Sequence, residues 1–99
     1  MTIRSPFKPH YSSNQVVAPA STSANITINA DDKSVRVCNS GANIGYFRIG
    51  QNAQTATTAD TPVLPNQCLI VEKDAMHNNI AHISASGTTF QIQTGEGGQ

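Results

Sequence analysis

Short apolar–polar alternations, each stopped by a cluster of turn residues, recur along this chain from Val16 to Thr94. Ile26 and Ile28 alternate with Thr27 and Asn29, a period of two that sets both isoleucines on one face of a strand. Val35 and Val37 alternate with Arg36 and Cys38, and Asn39-Ser40-Gly41 ends that run. In residues 44–49, Phe47 and Ile49 share one face while Tyr46 and Arg48 share the other, and Gly50 follows. Cys68-Leu69-Ile70-Val71-Glu72 is the strongest strand signal, and residues 80–85 and 88–94 supply two more, the last with Phe90 and Ile92 facing inward. Val16-Val17-Ala18, stopped by Pro19, and the threonine-rich residues 55–58 add short candidates, the latter as an edge strand. Asp31-Asp32-Lys33, Asp60-Thr61-Pro62, Leu64-Pro65-Asn66 and Ser86-Gly87 carry turn chemistry. No segment shows a sustained apolar stripe at 3.6-residue spacing. The expected fold is all-β: a single antiparallel β-sandwich, jelly-roll-like or Greek-key, with about seven or eight short strands.

Three segments follow from this pattern. Residues 1–13 are predicted to be an extended arm, with a disordered terminus as the alternative, because Pro6 and Pro9 oppose a helix and Ser12-Ser13-Asn14 closes the stretch. Residues 14–94 form the sandwich, and residues 95–99, opening with Gly95-Glu96-Gly97-Gly98, a flexible tail. The arm's charges, Arg4 and Lys8, are both positive, and it holds Phe7 and Tyr11, two of five aromatic residues in the protein. A surface is needed to lay such rings on, which makes Arg4, Phe7, Lys8 and Tyr11 the candidate partner-binding residues.

Charge is sparse, at 12% of 99 residues with a formal net charge of zero. Electrostatic binding to nucleic acid or to an anionic membrane is therefore not expected. No apolar run approaches the roughly 18–20 residues that span a bilayer, and the N-terminus has no apolar signal core. Synthesis in the cytoplasm is expected, with export only as part of an assembly. Cys38 and Cys68 are too few for a zinc motif; in a reducing cytosol they are expected as thiols, a bridge being the alternative.

Catalytic constellations are hard to assemble from these residues. His10, His77 and His82 lie in separate settings without ligand spacing, and are expected at the surface or half-buried. Asp31 and Asp32 belong to a turn, and Asp60 and Glu72 fit turn and surface roles better than an acid/base pair. No glycine-rich loop follows a strand into a helix. The chain is expected to be no enzyme and to need no cofactor.

Val35-Arg36-Val37-Cys38-Asn39-Ser40-Gly41, Gly45-Tyr46-Phe47-Arg48-Ile49-Gly50 and residues 56–66, running on to Gly95-Glu96-Gly97-Gly98, together resemble the small β-sandwich virion proteins of tailed bacteriophages. The likeness spans residues 15–98 and is one of strands and turns. Asn66 stands where such proteins often carry a glycine. The resemblance implies a capsid decoration (cement) protein or a head–tail accessory, held on the virion surface by the major capsid protein or other virion proteins. A closed homo-oligomer, with a trimer favoured, is the expected assembly. A collar, tail or fibre adaptor is the alternative role, and a carbohydrate-binding sandwich a further one, weakened by the absence of tryptophan.

Overall fold

In a computed structural model of the protein, residues 7–10, 13–74 and 76–97 are described. Among them no helix forms, and nine strands do: β1 (Lys8–Pro9), β2 (Gln15–Val17), β3 (Ala24–Thr27), β4 (Ser34–Asn39), β5 (Gly45–Gly50), β6 (Thr61–Val63), β7 (Cys68–Glu72), β8 (Asn79–Ile83) and β9 (Phe90–Glu96). All pairings are antiparallel. β1 and β2 lie end to end along β9, Lys8 opposite Glu96 and Gln15 opposite Ile92, so they fill one strand position between them. Sheet I then runs β1/β2-β9-β4-β7, and sheet II runs β3-β8-β5-β6.

The pairing is nested. β5 pairs with β6, β4 with β7, β3 with β8, and β1/β2 with β9, successive pairs falling in alternate sheets. The chain is thus one long hairpin, tipped at β5–β6 and rolled up on itself. The β4–β9 and β5–β8 ladders close the roll. That arrangement is a jelly roll, which decides between the two topologies the sequence left open.

Strand alternation builds the core as the periodicity required. Val35 and Val37 from β4 and Phe90 and Ile92 from β9 meet Phe47, Val63 and Ile80 from sheet II, with Ile28 completing the cluster. Phe90 is fully buried, and its ring occupies the space a side chain on Gly45 would need, since a Cβ there would lie 2.5 Å from Phe90 Cζ. One end of the roll is tied by Asn39, which is 2% exposed. Its amide donates to the carbonyls of Asn43 (2.8 Å) and Val63 (2.9 Å), while its oxygen accepts from Gly41 N and Thr88 Oγ1. All of the amide's main hydrogen-bonding capacity is used, as a buried polar group requires.

Several local expectations change. Residues 55–58 form no strand; they belong to a loop. Thr61 and Pro62, read as part of a turn with Asp60, instead belong to the edge strand β6, a place where the missing N–H of Pro62 is tolerated. The turn at Leu64-Pro65-Asn66 forms, with Asn66 at φ 63°. β9 runs on through Gly95 and Glu96, two residues into the segment read as a tail, because Gly95 pairs with Pro9 on one side and Ser34 on the other. Cys38 and Cys68 form a disulfide, correcting the expectation of thiols. They face each other across the β4–β7 ladder with Cα atoms 4.0 Å apart, close to the narrow spacing of a non-hydrogen-bonded antiparallel pair.

Candidate binding surface

The two sheets present very different outer faces. On sheet II, Asn25 points outward by alternation with Ile26, and its side chain exchanges hydrogen bonds with the backbone of Gln54 (2.8 and 2.9 Å). Ala56 N bonds Ser23 Oγ at 2.8 Å, so the loop between β5 and β6 crosses this face as far as β3. Ala56 and the outward-facing Ala81 are buried beneath or within it. Arg48, also outward, is held by Asp60 (3.0 Å), whose other oxygen accepts from Thr57 N. Tyr46 is half-buried opposite Pro62.

No loop crosses the outer face of sheet I among the described residues. Its outward side chains include Val16 (65% exposed), Gln91, Gln93, Arg36, Ile70 and the Cys38–Cys68 bridge. Arg36 donates to Gln93 Oε1 at 2.9 Å. The arm covers one end of it. Phe7 is half-buried, with the Arg36 guanidinium 5.7 Å from its ring centroid, inside the range of a cation–π contact. Glycine at 95 makes this possible: a Cβ there would strike the Lys8 carbonyl and the Phe7 ring. His10 N bonds Thr94 O (2.8 Å), and His10 Nδ1 lies 3.1 Å from both Asp32 Oδ2 and Asn29 Nδ2. A protonated Nδ1 donates to Asp32; only an unprotonated one accepts from Asn29.

Of the four candidate residues, the structure therefore places Phe7 on its own sheet and Lys8 exposed beside it in β1. Arg4 and Tyr11 lie outside the described residues. What the sequence missed is the charge-poor face next to the arm. Its signal was present in the outward positions of β2, β4, β7 and β9, but required the strand order to assemble.

Several of the side chains that could serve chemistry are buried in the fold. His82, expected at the surface or half-buried, is 4% exposed and faces the core between Ala24 and Phe47. Its Nδ1 has no hydrogen-bond partner among the described residues. Lys73 is 5% exposed and donates to Ala30 O at 2.9 Å. Burial lowers its pKa, against the opposing pull of Asp32, Asp31, Glu96 and Asp74. Among the described residues, no three His, Cys, Asp or Glu side chains converge as a metal ion needs.

Burial also lowers the His82 pKa, because a charged imidazole would lose its hydration in the core. An unfolded histidine takes up its proton near about pH 6.5, whereas the folded one resists until lower pH. Between those values the unfolded state binds more protons, so stability falls as pH drops below about 6.5. His82→Leu is expected to flatten this acid limb. Urea midpoints at pH 7.5 and 5.0 check it, and an unchanged pH slope in the variant would rule out His82 as the source.

Compared with known proteins, the chain matches no protein-family model. No curated protein matches it either.

Proposed function

We propose that this chain is a structural virion protein of a tailed bacteriophage, binding the capsid surface as a decoration (cement) protein through the outer face of sheet I and the arm beside it. The observation that carries this reading is the asymmetry of the roll. The protein's own β5–β6 loop crosses one sheet as far as β3, while among the described residues no loop crosses the other, where Val16 is 65% exposed and charges are few. Such a face suits packing against neighbouring subunits better than steering toward polyanions. Fold alone does not assign function. The family likeness of the strand pattern supplies the phage context, and jelly rolls are a common architecture of capsid proteins.

Two further features support the proposal. The disulfide suits a particle that leaves the reducing cytosol, since such bridges persist outside it. A non-enzymatic role accords with a histidine sealed in the core, a lysine bonded to a carbonyl, an aspartate paired with arginine and cysteines joined to each other. A collar or tail adaptor would use the same face on a different part of the virion.

Val16→Asp tests the face. The side chain is solvent-exposed, so the thermal midpoint should barely move, surface changes being usually within about 0.5 kcal/mol. Co-sedimentation of the purified protein with particles assembled without it should weaken at least about tenfold, the scale of a lost interface anchor. Unchanged binding would remove this face from the account.

A further inference from the structure

We infer that β7 is a strand-pairing edge that joins two copies of this chain into a two-fold dimer. A sheet edge carries unpaired N–H and C=O groups, and stable proteins blunt it with short strands, proline, charge or a covering segment. Three edges of this roll are blunted in that way. The β1/β2 edge is broken into pieces of two and three residues and carries Pro9. β6 has three residues and Pro62 at its centre. β3 has its Thr27 carbonyl capped by Gln15 Nε2 at 2.7 Å and is tied through Asn25 to the neighbouring loop.

β7 has no proline, no break and, among the described residues, no covering segment; its one charge, Glu72, stands at its end. Cys-Leu-Ile-Val-Glu is five uninterrupted residues without proline or lysine, and a disulfide fixes it rigidly to β4. The ladder parity is set at both ends: Asn39 N bonds Gln67 O, and Lys73 N bonds Lys33 O. Residues 69 and 71 therefore turn their backbone groups toward β4, while Cys68, Ile70 and Glu72 turn theirs outward. Among the described residues nothing bonds those outward groups. Leu69, Ile70 and Val71 are half-buried, apolar, and short of one neighbour.

The occupant that fits this edge is β7 of a second copy. The three open positions are symmetric about Ile70, so an antiparallel partner related by a two-fold axis through Ile70 uses all of them. Ile70 then faces Ile70 of the second copy, and Cys68 faces Glu72, giving about six backbone hydrogen bonds. In this register the two Glu72 carboxylates are not opposite each other, and Leu69 of each copy covers Val71 of the other. Sheet I becomes continuous across both copies. This two-fold contact differs from the trimer favoured by the sequence reading, and it stands whether or not the protein binds capsids.

Sedimentation equilibrium of the full chain, with its disulfide intact, tests the inference. A reversible dimer is expected, with slowed amide hydrogen exchange at Cys68, Ile70 and Glu72 that is lost on dilution. Ile70→Glu sets two carboxylates face to face across the axis, while within one copy the new carboxylate sits opposite Arg36. It should raise the dimer dissociation constant at least about tenfold with the thermal midpoint of the monomer retained. Ile70→Pro removes an N–H that the monomer leaves unused, and should act in the same direction. A monomer at high concentration, a trimer, or a dimer indifferent to both substitutions would overturn it.

Discussion

Phe90→Ala is expected to lower the unfolding free energy by about 3–5 kcal/mol, the cost of emptying a well-packed aromatic site. The ring has no exposed surface and joins the core cluster at the start of β9, where that strand enters sheet I. Its neighbours are poorly placed to collapse into the space. Gly45 beneath it has no side chain to extend, and its backbone is paired with Val63 in the β5–β6 ladder. Asn39, opposite Phe90 in the β4–β9 ladder, is fixed by its own four hydrogen bonds. Urea unfolding at pH 7 measures the loss. A value below about 1.5 kcal/mol would fall in the range of a tolerated repacking and would contradict the ring's place in the core.

Removing the disulfide is expected to have an effect of similar size. Cys38 and Cys68 close a loop with a sequence separation of 30. The chain-entropy relation then gives about 3.5 kcal/mol, lost from the constraint on the unfolded chain. For a domain of this size that corresponds to a thermal midpoint lowered by roughly 15–25 °C. Calorimetry of the Cys38→Ser/Cys68→Ser double variant, or of the reduced protein, provides the comparison. Indifference to reduction would show that the two sulfurs are not joined in the folded protein.

The strand faces were legible because burial on one side imposes a period of two. Alternation set Val35 and Val37 apart from Arg36 and Cys38 and turned Phe90 and Ile92 inward, and all four are fully buried. The turn at Leu64-Pro65-Asn66 was legible from local chemistry, and Asn66 adopts the positive φ that asparagine tolerates. What could not be read locally depended on register. Cys38 and Cys68 are far apart in sequence and become opposite only when β4 and β7 are aligned, so the compartment argument for thiols had nothing to weigh against it. Gly95 looks like a flexible tail residue until the arm crosses it, where the lack of a side chain admits Phe7 and Lys8. Pro62 marks a turn in most contexts, and only its place at a sheet edge makes it a strand residue. His82 follows a similar logic: the period of two puts it on the face of Ile80, but that this face is sealed at His82 follows only once β8 is placed between β3 and β5.

The surface was legible only in part. The arm's aromatic character pointed to a surface beneath it, and for Phe7 that surface is the protein's own sheet, with Arg36 against the ring. The wider face is contributed by strands distant in sequence, β2, β4, β7 and β9, each giving alternate residues. No linear motif marks such a face. The contrast between sheet II, crossed by the β5–β6 loop, and sheet I, crossed by none among the described residues, emerges from three-dimensional order alone.

The central claim, a structural role on a phage capsid, is tested most directly by a cryo-electron microscopy reconstruction of purified particles from cells that produce this chain. A compact two-sheet density is expected outside the shell, repeated at symmetry-related positions, with sheet I turned toward the capsid proteins. Particles whose surface carries no such density, with the protein left behind in the soluble lysate, would contradict it.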